Sequence, residues 1–375
     1  MPAIAALSAP SVEEIRAMFP ALSGPTVRLD GPAGSQIPRQ VIVSIAEYLA
    51  TCSANLGGVF AESVAAARLV ERARERSAAF LGTPDAGELE FGLNASTVNA
   101  AMVARAAAGM NKGDEVVVSA LDHDASVLPW QRAAAEHGLT LRVVGLCDDG
   151  RLDMDHLAAV INARTRVVAM TYAANATGTA VDVSAIVRLA HAVGALAWLD
   201  ATHIAPHEPL RVRELGVDVA FCSAYKFFGP HLGLCYARRG LAAGVEAGTP
   251  PMESLAGLVA AFDYLDEVGW QLIASHEQAL GARFLAGLPE PWQLLGLPTM
   301  DGRTPTFALH LPGSRPVELA RAFAERGIAV GAGTFHAPTL FETLKQPEGA
   351  VRIGFLHYNT EAEVDRALEA LADLA

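Results

Sequence analysis

Short apolar runs alternate with stretches of helical length between about residues 88 and 237, and this alternation restricts the possible folds more than any other feature. Near-continuous hydrophobic runs are typical of strands buried on both faces of a parallel sheet. The runs comprise residues 115–119, 141–144, 166–170, 196–199 and 217–222. The helical stretches comprise residues 97–109, 127–138, 153–162 and 184–194. This order of elements predicts an α/β sheet with helices on both faces.

The same order predicts where functional side chains gather, because sites in such sheets form outside the carboxyl ends of the strands. Asp200 ends one apolar run, and Lys226 follows another. An ammonium group and a carboxylate so placed can hold the two poles of pyridoxal phosphate. The lysine forms an imine with the aldehyde, and the aspartate keeps the pyridine nitrogen protonated. A lone lysine is more often a surface residue whose charged end reaches water. The prediction therefore depends on Asp200, on Ser223 and on the Gly-Pro pair that follows Lys226.

The remainder of the chain has a different pattern. Two helical stretches at residues 39–51 and 62–81 precede the alternating region, and a mixture of elements follows it. That mixture comprises a helical region at about 253–288, strands at 306–311 and 351–356, and helices at 316–326 and 361–374. A chain of 375 residues ordinarily forms more than one domain. We predict an N-terminal segment (1–20) packing on the smaller domain, a large cofactor-binding domain (21–252) and a small α+β domain (253–375).

Charge and composition exclude several classes of function. A net charge of −13 disfavours nucleic acid and anionic membrane surfaces as partners. The chain has neither an apolar run long enough to span a membrane nor a secretory leader, so a cytoplasmic location is expected. Four cysteines without C-x-x-C spacing indicate no zinc site and no redox motif. They are Cys52, Cys147, Cys222 and Cys235.

The turn Asn94–Thr97 is the candidate phosphate site. It follows a strand-like segment and opens a helix, and a helix N-terminus offers several N–H donors and a favourable dipole. The alternative is an ordinary N-cap, since serine and threonine often cap helices. Ser223 could add a hydroxyl from the other side of the phosphate.

Four further residues have side chains suited to this chemistry. His123 lies just past a strand and could stack on the cofactor ring and exchange protons with a substrate. Asn175 and His203 could each hydrogen-bond the ring oxygen. Arg352 opens a late strand, where a guanidinium would bind a substrate carboxylate through paired hydrogen bonds. Taken alone, His123 could be an inert loop residue and Arg352 part of a surface ion pair.

Together these motifs resemble the class V aminotransferases of pyridoxal-phosphate fold type I, and within them the cysteine desulfurase-like proteins. The resemblance extends over nearly the whole chain. The segments that carry it are 29–34, 55–58, 121–124, 200–203, 223–230, 246–250 and 352–360. It implies pyridoxal 5′-phosphate as cofactor, an amino acid as substrate and a two-domain fold.

The resemblance also implies a role for individual residues. Lys226 matches the Schiff-base lysine, Asp200 the pyridinium partner and His123 the ring-stacking histidine. Asn175 and His203 match positions near the cofactor hydroxyl and the substrate, although many relatives have Gln where His203 stands.

The phosphate and substrate positions follow in the same way. Ala95, Ser96, Thr97 and Ser223 fall at phosphate positions, whereas Tyr225 replaces a histidine common in desulfurases. Thr249 matches a threonine that reaches the phosphate of the neighbouring subunit, so a homodimer is implied. Substrate-binding positions are Arg352, Asn55 and His336.

The chain departs from desulfurases in the segment 327–338. Desulfurases have there a loop with an arginine near its start and the sulfur-accepting cysteine further on. Here Gly331 stands in place of the arginine and His336 roughly in place of the cysteine. A persulfide requires a thiolate, and imidazole cannot replace it. The sequence therefore predicts chemistry that does not use a cysteine persulfide.

The leading hypothesis is an enzyme that uses pyridoxal phosphate for a desulfurase-like or C–S lyase β-elimination on an amino acid. Transamination and epimerisation come second, because they begin with the same proton removal. A non-catalytic protein that binds the cofactor is a further alternative. A nicotinamide-dependent oxidoreductase needs a glycine-rich fingerprint after the first strand, and the Gly31–Gly34 segment has the wrong position and spacing.

Overall fold

The computed structural model describes residues 10–241 and 248–375. The α-helices are α1 (Val12–Ala17), α2 (Arg39–Thr51), α3 (Ala61–Leu81), α4 (Ala95–Ala108), α5 (Asp124–His137), α6 (Met154–Val160), α7 (Val183–Ala192), α8 (Val212–Leu215), α9 (Met252–Val268), α10 (Trp270–Gly287), α11 (Pro316–Glu325), α12 (Pro338–Thr343) and α13 (Glu361–Asp373). The strands are β1 (Val27–Arg28), β2 (Leu89–Gly92), β3 (Glu115–Ser119), β4 (Thr140–Val144), β5 (Thr165–Thr171), β6 (Leu196–Asp200), β7 (Val219–Ser223), β8 (Gly233–Ala237), β9 (Gln293–Leu295), β10 (Thr306–His310), β11 (Ile328–Ala329), β12 (Gly331–Gly333) and β13 (Ala350–Gly354).

A seven-stranded sheet of order β2-β8-β7-β6-β5-β3-β4 forms the centre of the molecule. The pairs among β7, β6, β5, β3 and β4 are parallel. The predicted α/β sheet is therefore confirmed, and each predicted apolar run contributes a strand. The exception to the parallel order is β8, which runs antiparallel to both β2 and β7. The link from β7 to β8 is too short for a crossover helix, so the chain returns antiparallel.

Gly233, the first residue of β8, allows this strand to approach the start of α4. A Cβ atom at Gly233 would lie 2.4 Å from the carbonyl group of Asn94. Real Cβ atoms essentially never come that close to backbone, so only glycine permits this contact between β8 and the start of α4. The contact brings the N-terminus of α4 to the carboxyl end of β7.

The C-terminal region has its own antiparallel sheet, of order β12-β13-β10-β9. The helical region predicted at 253–288 is broken at Gly269 into α9 and α10. Side chains of α9, up to Val268, belong to the core of the central sheet, whereas Leu280 and Phe284 of α10 belong to the core of the smaller sheet. The boundary between the large and the small domain, which we place at residues 252–253, stays a prediction.

The N-terminal segment and the C-terminal helix are joined by an ion pair. The Arg16 guanidinium lies 3.0 Å from the Glu363 carboxylate and donates a hydrogen bond of 2.7 Å to the Tyr358 carbonyl. Residues 1–9 of the predicted N-terminal segment lie outside the described residues. Within the described ranges, no helix combines the length and hydrophobicity needed to cross a membrane.

Candidate active site

A cavity lies where β5, β6 and β7 end and α4 and α5 begin. The residues that line it are Ala95, Ser96, His123, Ala125, Thr171, Ala173, Asn175, Asp200, Thr202, His203, Ser223, Tyr225 and Lys226. The structure thus brings together eight of the residues predicted from the sequence: Ala95, Ser96, His123, Asn175, Asp200, His203, Ser223 and Lys226. It places Thr97, Thr249, Asn55, Arg352 and His336 outside this lining.

The Asp200 carboxylate is held by two hydrogen bonds at the end of β6. Its Oδ2 accepts from the Ser126 hydroxyl at 2.7 Å, and its Oδ1 accepts from the Thr202 amide at 2.9 Å. Both bonds are buried or partly buried, so the orientation of the carboxylate is fixed before any ligand binds. The sequence did not identify Ser126, although its place at the start of the helix after His123 was visible.

The Lys226 side chain projects into the cavity from the short turn after β7. Its Nζ donates to the Pro32 carbonyl. Burial, together with the nearby Arg352 guanidinium, lowers the pKa of Lys226 to about 7, although the Asp200 carboxylate acts in the opposite direction. A neutral amine is therefore available near pH 7, and imine formation requires the neutral form.

His123 caps the start of α5 with its own side chain. Its Nδ1 accepts a hydrogen bond of 2.9 Å from the Ala125 amide, so the neutral ring carries its proton on Nε2. Burial lowers the pKa of His123, while Asp200 raises it. The ring thus faces the cavity as a neutral imidazole with a defined tautomer.

The phosphate candidate is the N-terminus of α4, a helix of 14 residues. The Ala95 amide donates to the Ser223 hydroxyl at 2.8 Å, which brings Ser223 to the helix terminus. Asn94 and Thr97 form a capping box, so for these two residues the N-cap alternative is correct. Ala95 and Ser96 line the cavity, where the helix dipole favours an anion.

Asn175 lines the cavity, and Arg352 lies behind it. The Arg352 Nη1 donates to the Asn175 carbonyl at 2.8 Å, and its guanidinium carbon lies 4.1 Å from the centre of the Phe335 ring. Burial lowers the pKa of Arg352 to about 10, which leaves it charged at neutral pH. Arg352 therefore stands behind Asn175, beside the cavity rather than on its lining.

His203 connects the cavity to the smaller sheet. Its Nε2 lies 3.1 Å from the Thr306 hydroxyl and 3.3 Å from the Thr304 hydroxyl. Burial is the main cause that lowers the pKa of His203 well below its ordinary value. The residue is consequently neutral and fixed in position.

Two buried polar atoms near the cavity have no partner within the described residues: Asn175 Oδ1 and Thr202 Oγ1. Buried polar atoms are almost always hydrogen-bonded, so these two indicate a ligand with polar groups. The side chains present fit pyridoxal phosphate, because they offer an amine for its aldehyde, a carboxylate for its ring nitrogen and a helix N-terminus for its phosphate.

The remaining predicted residues lie elsewhere. Asn55 is exposed in the loop before α3. Thr97 and Thr249 line a neighbouring cavity. His336 is exposed, but its ring centre lies 5.2 Å from that of His123.

Comparison with known proteins agrees with this arrangement. Residues 27–245 and 236–367 match the family model described as aminotransferase class-V. A probable cysteine desulfurase of Streptomyces coelicolor is 33% identical over 96% of this chain and 96% of its own length. A cysteine desulfurase of Klebsiella pneumoniae is 32% identical over 96% of this chain and 97% of its own. The solved structure of an apo cysteine desulfurase from Thermococcus onnurineus has a TM-score of 0.91 and 26% identity, with 99% of each chain covered.

Proposed function

Because the chain belongs to the class-V aminotransferase family, we propose that it removes the β-substituent of an amino acid by elimination and forms no cysteine persulfide. It is a cysteine desulfurase-like enzyme of fold type I that depends on pyridoxal 5′-phosphate, as its motifs predicted. One observation carries the proposal. Among the described residues, the lining of the cavity offers Lys226, Asp200 and the start of α4 to the cofactor, but no cysteine to accept sulfur.

Five of the predicted residues would bind the cofactor or the substrate. Lys226 would bind the cofactor aldehyde, Asp200 the ring nitrogen, and Ser96 and Ser223 the phosphate. When bound, the cofactor supplies an electron sink that stabilises negative charge at the substrate α-carbon. Arg352 would hold the α-carboxylate, and the amine of Lys226 would take the α-proton.

The positions of the cysteines support elimination without a persulfide. Cys222 and Cys235 are fully buried in the central sheet, and burial raises the pKa of both thiols. Cys52 donates to the Glu62 carbonyl at 3.3 Å, and Cys147 is exposed after β4. Only a thiolate within reach of the substrate can accept its sulfur.

The test is a screen of amino acids for release of pyruvate, sulfide or a keto acid. We expect S-substituted cysteines to yield pyruvate, ammonia and the free thiol, with no added sulfur on the protein by intact-mass measurement. Transfer of the amino group to a keto acid, or inversion at the α-carbon, would instead support transamination or epimerisation. Cofactor binding without turnover of any amino acid would support the non-catalytic alternative.

We also propose a cytoplasmic homodimer in which Thr249 reaches the neighbouring subunit's cofactor. The loop beside Asn55 supports this assembly, because the apolar side chains of Leu56, Val59 and Phe60 are exposed there and would be buried at a subunit interface. Light scattering should give twice the chain mass, and Thr249→Ala should weaken cofactor binding without altering that mass. A monomer at micromolar concentration would contradict the assembly.

A further inference from the structure

The turn Phe335–His336 has an unusual backbone. Both residues have positive φ, 53° and 57°, although neither is glycine. Consecutive side-chain-bearing residues in the left-handed region are uncommon, and they persist where the surrounding structure holds them. Such backbone often occurs at functional sites, so the contacts that hold this turn are informative.

Residues of the active site hold the turn. The Asn175 Nδ2 donates to the Phe335 carbonyl at 2.8 Å, and the Asp124 amide donates to the His336 carbonyl at 2.6 Å. The Phe335 ring in turn lies against the Arg352 guanidinium. The turn is therefore fastened to the loop after β5, to the start of α5 and to β13.

This fastening places the His336 imidazole at the entrance to the cavity. Its ring centre is 5.2 Å from that of His123, and its Nδ1 is 3.9 Å from the Asp124 carboxylate. The side chain is 77% exposed, so protons can reach it from solvent. Imidazole gives and takes protons near neutral pH, and Asp124 provides a counter-charge for the protonated ring.

His123 is less suited to donate a proton in this place. Its Nδ1 is already occupied by the Ala125 amide, and burial keeps the ring neutral. The proton that remains is the Nε2–H of a neutral imidazole, which is a very weak acid. His336, being exposed and beside a carboxylate, is the acid available on the entrance side.

Resting on the proposed elimination, we infer that His336 is a catalytic acid that protonates the departing sulfur of an S-substituted cysteine. Lys226 takes the α-proton, and the C–H electron pair becomes the Cα–Cβ double bond. The Cβ–S bond breaks, its electron pair leaves with sulfur, and sulfur takes a proton from His336. Hydrolysis of the resulting enamine by water gives pyruvate and ammonia, Lys226 returns its proton to solvent, and solvent reprotonates His336.

The test compares two substrates in His336→Gln. Chloride leaves β-chloroalanine without needing a proton, whereas the thiolate of S-methylcysteine benefits from one. We expect the rate with S-methylcysteine to fall by about 10²-fold and the rate with β-chloroalanine to stay near wild type. The control His137→Gln, at the exposed end of α5, should alter neither rate.

Equal losses with both substrates, or no loss with either, would overturn the role of His336. Wild-type protein that eliminates neither substrate would overturn the proposed function itself, and this inference with it. The two failures are therefore distinguishable.

A second variant tests the placement by a covalent product rather than a rate. His336→Cys puts a thiol at the entrance. On incubation with cysteine this thiol should form an S–S bond to the substrate sulfur while the Cβ–S bond breaks, which leaves a persulfide on the protein and releases alanine. Intact-mass and peptide mass spectrometry detect the added sulfur. Lack of captured sulfur in a variant that keeps wild-type cofactor absorbance would show that position 336 does not face the leaving group.

Discussion

At the residue scale, the site depends on an amine kept neutral inside protein and a carboxylate kept in one orientation. Burial and Arg352 lower the pKa of Lys226 to about 7. Two hydrogen bonds fix Asp200. These two groups face the same cavity, so a cofactor with an aldehyde and a ring nitrogen can bridge them.

Replacing Lys226 with alanine should remove the covalent link to the cofactor. Purified wild-type protein should show the visible absorbance band typical of pyridoxal phosphate bound to lysine, and Lys226→Ala should lack it. Lys112→Ala, at an exposed position, is the control and should keep the band. A wild-type protein without the band, even with added cofactor, would contradict the proposed cofactor chemistry.

The lowered pKa of Lys226 also predicts how the stability of the cofactor-free protein depends on pH. Between about pH 7 and the ordinary value of 10.5, the unfolded chain holds a proton that the folded amine has released. The contribution of Lys226 to the free energy of unfolding therefore rises with pH across this window, by up to about 1.4 kcal/mol per pH unit. Urea unfolding of Lys226→Met should lack this rise. If the free energy of unfolding of both proteins depended on pH in the same way, the lowered pKa of Lys226 would be refuted.

At the element scale, the start of α4 is positioned by its contact with β8. Its capping box and the hydrogen bond from the Ala95 amide to the Ser223 hydroxyl fix the helix terminus that we propose as the phosphate site. The sequence predicted both strand and helix here, but it left the phosphate and N-cap alternatives open. In the structure the two alternatives apply to different residues. Asn94 and Thr97 cap the helix, whereas Ala95 and Ser96 line the cavity.

Gly233→Ala should disturb this anion site. The added Cβ would lie 2.4 Å from the Asn94 carbonyl, so the start of α4 must move away from Ser223. We expect the affinity for pyridoxal phosphate to fall by about 10- to 150-fold, since one charge-assisted hydrogen bond contributes about 1.5–3 kcal/mol. Equilibrium dialysis measures this. Gly24→Ala is the matched control, because no atom lies within 4 Å of its Cβ. Unchanged affinity in Gly233→Ala would rule out this role for the contact.

At the scale of the whole molecule, a buried polar chain joins the central sheet to the C-terminal region. The Glu277 carboxylate on α10 lies 2.6 Å from His207 Nδ1 and accepts from the His357 amide at 3.0 Å. His357 Nε2 lies 2.5 Å from the Tyr264 hydroxyl on α9. All four residues are buried, so removing one member of this hydrogen-bonded network leaves a buried polar group without its partner and destabilises the fold.

Glu277→Gln should therefore destabilise the protein. Removing one charge leaves its buried histidine partners incompletely paired, and such changes cost about 3 kcal/mol or more. The lowered pKa of Glu277 agrees, since His207 and His357 outweigh the effect of burial. Urea unfolding followed by fluorescence measures the loss, with the exposed Glu325→Gln as control. Equal stability of the two variants would contradict this expectation.

The sequence by itself determined the sheet, the cofactor and most of the lining of the cavity, because each depends on local patterns. Apolar runs specify buried strands, and strand ends place Asp200 and Lys226 at one edge. Only the tertiary structure decided the rest. Arg352 lies behind Asn175, and Ser126 orients Asp200. His336 reaches His123 because Asn175 and Asp124 hold its turn. These contacts join residues far apart in the chain, and no local pattern encodes them.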